Sequence, residues 1–274
     1  MRCIFCRVDS STSVSREHII PESLGNTSLI LPKGVVCDKC NNYFSREVER
    51  PFLESEAIRV MRFHQGLESK KGRVPSLAGL ITPEIPAIVT RFPRRDFTSV
   101  AVPTESWEQV ARLEGGHLIL PVGGPAPDGQ VVSRFMAKVA LEAMAKRVVG
   151  HDGGQEYLCD EHQLDDLRNH ARYGRISRWP VHTRRIYDAN AKISLPGRLP
   201  EQVVHESDFL ATSWGEWFFV LAVFGLEIAI NLGGPDIEGY ERWLRENNEI
   251  SPLYRTDQPS SYPQPMSVDE EDSY

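Results

Sequence analysis

The sequence predicts an α+β protein: a small cysteine-stapled N-terminal module read as strand, hairpin, strand and helix, then a mixed domain with an antiparallel sheet and packed helices. Three observations carry this. Four of the five cysteines form two C-x-x-C pairs, Cys3/Cys6 and Cys37/Cys40, within the first 40 residues. Apolar residues recur at helical spacing over 132–149 (Phe135, Met136, Val139, Ala140, Ala143, Met144, Val148), and Gly150 follows. Four later runs, 181–187, 203–212, 216–224 and 226–232, are rich in β-branched and aromatic residues and read as strands.

The bounds suit an ordinary folded chain. At 274 residues, 41% hydrophobic and 25% charged, it can bury one or two cores. No stretch approaches the roughly 18 apolar residues of a membrane span, and the first residues, Met-Arg-Cys, lack an apolar signal region. A soluble, cytoplasmic protein without a membrane partner is expected. Closely paired cysteines suit metal binding in a reducing compartment better than a disulfide framework. The net charge of −7 is uneven: residues 1–75 carry 12 Lys/Arg against 9 Asp/Glu, whereas 256–274 carry five acidic residues and no basic one. Only the first stretch has the sign a polyanion favours.

Within the module, Met-Arg-Cys-Ile-Phe-Cys-Arg reads as a knuckle turning two thiolates toward one metal, and Cys37-Asp-Lys-Cys40 is the matching knuckle. Four sulfurs make the closed tetrahedral shell of structural Zn2+, with no position open for substrate. The alternative is four cysteines buried as small apolar groups. Glu17, His18, Ile19 and Ile20 read as a short strand ended by Pro21, with turn chemistry at Leu24-Gly25-Asn26-Thr27. Residues 28–36 return as a second strand interrupted at Pro32-Lys-Gly34, and a helix is expected from Asn41 or Asn42.

These residues carry a resemblance. Cys3-Ile-Phe-Cys6, Glu17-His-Ile-Ile-Pro-Glu-Ser-Leu-Gly25 and Cys37-Asp-Lys-Cys-Asn41 resemble the HNH endonucleases, in particular the subgroup stabilised by four cysteines, over about 50 of 274 residues. The resemblance implies a ββα-metal module. It implies His18 as general base, and Glu17 and Asn41 as ligands of a catalytic divalent cation, Mg2+ or Mn2+, separate from the zinc held by Cys3, Cys6, Cys37 and Cys40. An imidazole suits proton abstraction near neutral pH, and a hard cation suits oxygen ligands. The pattern departs at Pro32, where many members carry an asparagine that steadies the histidine; a backbone carbonyl or Asn26 is the expected substitute. The structural alternatives are a core histidine at position 18 and a helix cap at Asn41, with Asn42 a second candidate ligand.

Downstream, residues 51–66 predict one helix with an apolar stripe of Leu53, Ala57, Val60, Met61 and His64, a core face before a ligand site. Arg59, Arg62, Lys70, Lys71 and Arg73 form a basic stretch, facing either phosphates or solvent, and Arg91-Phe-Pro-Arg-Arg95 reads as a basic surface turn. A helix is expected over 161–173; Cys159, Glu161 and His162 read as structural. Arg168, Arg172, Arg175 and Arg178 line a nucleic-acid groove or neutralise Asp160, Glu161, Asp165 and Asp166. Trp214, Trp217, Phe218 and Phe219 are core before they are a base-stacking surface, and a short helix is expected over 237–247.

The domain reading is therefore 1–70, the nuclease module; 75–255, an α+β domain for specificity, regulation or dimerisation; and 256–274, a disordered acidic tail. The functional reading is an HNH-type endonuclease cutting DNA, as a monomer or homodimer, suited to restriction or anti-phage defence. Its rivals are an RNA-cleaving nuclease and a non-catalytic zinc module that grips nucleic acid or protein.

Overall fold

The computed structural model describes residues 1–174, 178–193 and 199–254; Arg175 and the expected tail over 256–274 lie outside the described residues. In chain order the helices are α1 (Asp38–Phe44), α2 (Arg50–Glu54), α3 (Glu56–His64), α4 (Trp107–Ala111), α5 (Gly129–Val148), α6 (Gly154–Asp160), α7 (Asp165–Tyr173) and α8 (Glu238–Glu246). The strands are β1 (Leu77–Ile81), β2 (Ile85–Phe92), β3 (Phe97–Ala101), β4 (Leu118–Ile119), β5 (Val181–Arg185), β6 (Lys192–Ile193), β7 (Glu201–Gln202), β8 (His205–Ala211), β9 (Trp217–Val223) and β10 (Leu226–Asn231). No helix among the described residues is long and apolar enough to cross a membrane.

The expected ββα arrangement is not what forms. From residue 22 to residue 64 the regular structure is helical: a 3-10 turn Glu22–Leu24, then α1, a π turn Ser45–Glu49, α2 and α3; the first strand begins only at Leu77. The two segments read as strands meet at a single antiparallel bridge, His18 opposite Ile30. The cause is local. Pro21 and Pro32 remove ladder donors on either side, and the buried Asn26 side chain takes backbone groups that a longer ladder would use. Its Nδ2 donates to the Ile20 carbonyl (2.6 Å) and the Leu29 carbonyl (3.0 Å), and its Oδ1 accepts from the amides of Ser28 (3.0 Å) and Leu29 (2.8 Å). The helix also starts earlier than Asn41, because Cys37 caps it and Asp38 opens it.

The chain divides into two compact units, one of residues 1–20, 26–49 and 128 onward, the other of 21–25 and 50–127. The first is built around α5. Asp128 caps that helix by accepting from the amides of Gln130 and Val131. Phe135, Met136, Val139, Ala140 and Ala145 are buried on it, and so are Lys138 and Glu142, so the helix is enclosed around most of its circumference. It packs on α6, α7 and the antiparallel sheet β5-β10-β9-β8. The opposite face of that sheet is covered by α8 and the turn Pro252–Tyr254, through Leu210, Phe218, Val220, Ala222, Ala229, Tyr240, Leu244, Leu253 and Tyr254. Covering both faces explains why consecutive Phe218 and Phe219 are both buried while Trp217, at the strand's start, is 54% exposed. Phe224 and Gly225 both take positive φ in the β9–β10 turn, the backbone of a tight hairpin. At Gly225 an added Cβ would lie 2.1 Å from the Tyr187 carbonyl oxygen, so no larger residue fits.

The second unit holds the sheet β3-β2-β1-β4, antiparallel throughout. Leu77 and Val89 pack on Val74 and on Val60 and Phe63 of α3. The predicted 51–66 helix is broken at Ser55, whose backbone is extended (φ −60°, ψ 147°). A stripe counted through the break is displaced: Ile58, Val60, Arg62 and Phe63 are buried, whereas His64 is exposed with Nε2 2.8 Å from the Pro121 carbonyl oxygen. Arg62 therefore does not face phosphates; its Nε donates to the Ser23 carbonyl (2.9 Å), and burial lowers its pKa.

Candidate functional site

The four paired cysteines converge. Knuckle one is shaped by Arg7 in the left-handed region (φ 60°), with the Arg7 amide donating to the Cys3 carbonyl (2.8 Å) and the Cys3 amide to the Val8 carbonyl (3.0 Å). Knuckle two is a helix start: the Cys37 sulfur accepts from the Cys40 amide at 3.4 Å, at the end of α1 where the dipole favours a thiolate. The four sulfurs lie within 4.8 Å of one another, and Cys6 and Cys37 are 3.6 Å apart. Tetrahedral zinc with bonds of about 2.3 Å requires edges of about 3.8 Å, so the set fits that ion after small adjustment. Cys40 hydrogen-bonds to Cys3, holding the Cys3 thiol down at about 5 and pushing its own up, while burial pushes Cys6 up to about 11. Crowded sulfurs share protons unevenly in this way; a divalent cation supplies the charge that lets all four ionise.

Knuckle one is tied down from behind by α6 and α7. Arg2 forms two hydrogen bonds to Asp160 (2.9 and 2.7 Å), and Gln155 Nε2 donates to the Arg2 carbonyl (2.6 Å). The buried Arg168 donates to the carbonyls of Ile4 (2.8 Å) and Leu158 (2.7 Å) and pairs with Asp165, which also pairs with Arg7. Cys159 Sγ donates to the Arg2 and Cys3 carbonyls (3.5 and 3.7 Å), which gives the fifth cysteine a structural place behind the cluster.

Between the knuckles, the His18 backbone is held by one antiparallel bridge to Ile30, made of two flanking hydrogen bonds: the Ile19 amide donates to the Leu29 carbonyl (3.0 Å) and the Leu31 amide to the Glu17 carbonyl (2.9 Å). The His18 side chain is half-buried. Asn41, on α1, donates from Nδ2 to the Arg16 carbonyl (3.3 Å), which attaches the helix to the residue two before His18. Asn42 is exposed. Glu17 turns inward: it is 5% exposed, with Oε1 2.7 Å from Lys138 Nζ. Residues 3–56 match the family model of the HNH endonucleases.

These residues form an HNH-type module stabilised by cysteines. The match leaves most of the chain outside it, and no curated protein and no solved structure matches the chain.

The part of the site that sequence reasoning missed is the floor of this HNH module. Lys138, fully buried on α5, places Nζ 2.7 Å from Glu17, 2.6 Å from Glu49 and 2.9 Å from Glu142, and donates to the carbonyls of His18 (3.1 Å) and Ile19 (3.4 Å). Burial disfavours its charge, but the carboxylates of Glu142, Glu17 and Glu49 outweigh that and raise its pKa well above the usual lysine value. Burial raises the Glu142 pKa well above the usual carboxylate range, against the opposing pull of Lys138. The available signal was a Lys/Glu pair at i, i+4 inside the otherwise apolar stretch 135–145. Asn26, one of the two expected orienters of His18 beside a backbone carbonyl, braces the turn between Ile20 and Leu29, and a further donor, Lys146, binds the Ile30 carbonyl (3.0 Å). Among the other basic residues, Arg172 lies over the Tyr173 ring (4.7 Å), Arg91 donates to the Phe63 carbonyl (2.9 Å), and Lys70, Lys71, Arg73 and Arg178 are exposed.

Proposed function

We propose that the chain is a divalent-metal-dependent endonuclease that hydrolyses DNA phosphodiester bonds, with His18 as the general base. The single observation that supports this most is the half-buried His18 side chain on a backbone held by the bridge to Ile30 and by Lys138, inside the segment that matches the HNH endonucleases. In this reading the imidazole takes the proton from an attacking water as the oxygen approaches phosphorus, a role worth about 10²–10⁴ in rate. Asn41, attached to the Arg16 carbonyl through Nδ2, presents its amide oxygen as a neutral ligand for Mg2+ or Mn2+. Such a cation supplies Lewis-acid stabilisation of the leaving oxygen. Glu17 is the second ligand under one condition: its carboxylate neutralises Lys138 at 2.7 Å, so cation binding and that ion pair compete for the same charge. Residues 75–255 supply substrate choice or assembly.

The test is cleavage of supercoiled plasmid by the full chain with Mg2+ or Mn2+, beside His18→Ala and with single-stranded RNA in parallel. The expected result is metal-dependent cutting of DNA that falls at least about 100-fold in the variant, with zinc retained. No cutting in either metal, or equal cutting by the variant, refutes the catalytic role. DNA binding without cleavage that survives His18→Ala but not Cys37→Ser would make the segment a non-catalytic zinc module, and cleavage of RNA alone would change the substrate.

A further inference from the structure

A fully buried lysine ringed by three carboxylates is costly to keep, because desolvation of each ion works against folding. Structural needs alone would be met as well by apolar side chains in place of the whole cluster, since Ala137, Val139, Ala140 and Leu141 around it on α5 are all buried. Two of the acceptors around Lys138 Nζ are consecutive main-chain carbonyls, those of His18 and Ile19. A third is the side chain of Glu17, the residue before them. The remaining two, Glu49 and Glu142, set the charge and direction of the ammonium: Glu49 from the π turn that follows α1, Glu142 from one turn further along α5. The ammonium thus grips three successive residues centred on the proposed base, from an element about 120 positions later in the chain. From the same helix, Lys146 holds the facing segment at the Ile30 carbonyl.

We infer that Lys138 is a positioning residue for the HNH module, clamping the His18 and Ile19 carbonyls and the Glu17 side chain so that the His18 imidazole is presented at a fixed height and angle. This rests on the nuclease reading for its catalytic consequence but not for its geometric one. It makes the module dependent on α5: the HNH match ends at residue 56, yet the clamp that sets its histidine comes from beyond it. A misplacement of about 1 Å in a reacting group costs on the order of 100-fold in rate. Loss of the clamp should therefore lower kcat and leave DNA binding largely intact.

The test compares Lys138→Met with the full-length parent in three measurements: zinc content, plasmid cleavage resolved into kcat and KM, and amide hydrogen exchange. The expected result is retained zinc, kcat lower by about 100-fold with KM within about threefold, and exchange at the Ile19 and Leu31 amides faster by at least about tenfold. Amides of β9 and β10 should be unchanged. A lower melting temperature with parental kcat and parental exchange at Ile19 and Leu31 would show a purely structural lysine and overturn the inference. Should Lys138→Met not fold, Lys138→Met/Glu17→Gln removes both ions of the innermost pair, and exchange alone is read on it. Failure of both to fold also overturns the positioning role. If the parent cuts no DNA, the nuclease reading fails, while the exchange measurement still decides whether Lys138 holds His18.

Discussion

Replacing Asn26 by alanine tests how the stretch that carries His18 is held. The side chain is fully buried and makes four hydrogen bonds to backbone, to the Ile20 and Leu29 carbonyls and the Ser28 and Leu29 amides. Truncation does not strand all four groups. The Leu29 carbonyl keeps the Ile19 amide as donor, and Ser28 is exposed enough for water to replace its partner. The Ile20 carbonyl and the Leu29 amide bear the main loss. At about 1–3 kcal/mol for each buried group left unsatisfied, Asn26→Ala should cost about 4 kcal/mol. For a unit of this size that is a fall in melting temperature of roughly 8–16 °C, followed by circular dichroism. Asn26→Asp sharpens the test. A carboxylate keeps the two amide bonds but sets an anion against two carbonyl oxygens, so the loss at pH 7 should be at least as large. Burial against those carbonyls raises the introduced acid's folded pKa above its unfolded value. The penalty should therefore shrink as acidification protonates the group and restores a donor. A fall of less than about 3 °C for Asn26→Ala, or an Asn26→Asp penalty that does not change with pH, would refute this account of the turn.

Two further outcomes follow from the same geometry. The parent should hold one zinc per chain by elemental analysis, and Cys37→Ser should bind little and lose exchange protection across 1–20, since closing four thiolates on zinc contributes on the order of 10 kcal/mol or more in small zinc modules; a metal-free variant with parental protection would sink the structural assignment. Burial, aided for His182 by Arg184, lowers the pKa of His182, and burial lowers that of His205. A histidine whose folded pKa lies below its unfolded value of 6.5 contributes stability above that pH and loses it as pH falls through 6.5. Urea midpoints should accordingly drop between pH 7 and pH 5, and less steeply in His205→Gln; equal slopes would count against the buried neutral imidazole.

The parts of the fold legible in the sequence are those set by short-range pattern. The run 216–224 contains β9, because a strand covered on both faces needs apolar residues at nearly every position, which composition displays directly, and the run 226–232 contains β10, where the buried Glu227 and Asn231 are the exceptions. The 132–149 stripe marks α5 to within a few residues. Reading failed where one residue changes the register or claims the backbone. Ser55 restarts a helix and so moves the buried face of α3 onto Ile58 and Phe63. Asn26 takes the Ile20 and Leu29 backbone groups, and what looked like two strands is reduced to one bridge at His18. Nothing in the spacing of apolar residues reports either event.

The site divides along the same line, for a reason of range. The cysteine pairs are local and self-announcing, because the two sulfurs of each C-x-x-C lie within one turn of backbone. Lys138 satisfies no local rule: on an apolar helix it looks like an interruption, and its meaning depends on Glu17 and Glu49, 121 and 89 positions away. A buried ammonium is stable only where acceptors converge on it. Its presence in the centre of α5 therefore requires those acceptors and constrains where they lie. The acceptors include the carbonyl of His18, so a charge that detracts from helix packing also specifies the position of the residue proposed to do the chemistry. The helix that organises the sheet and the loop that presents the histidine are in this way parts of a single structural requirement. A variant with an apolar residue at position 138 can keep the helix packed and still lose the site.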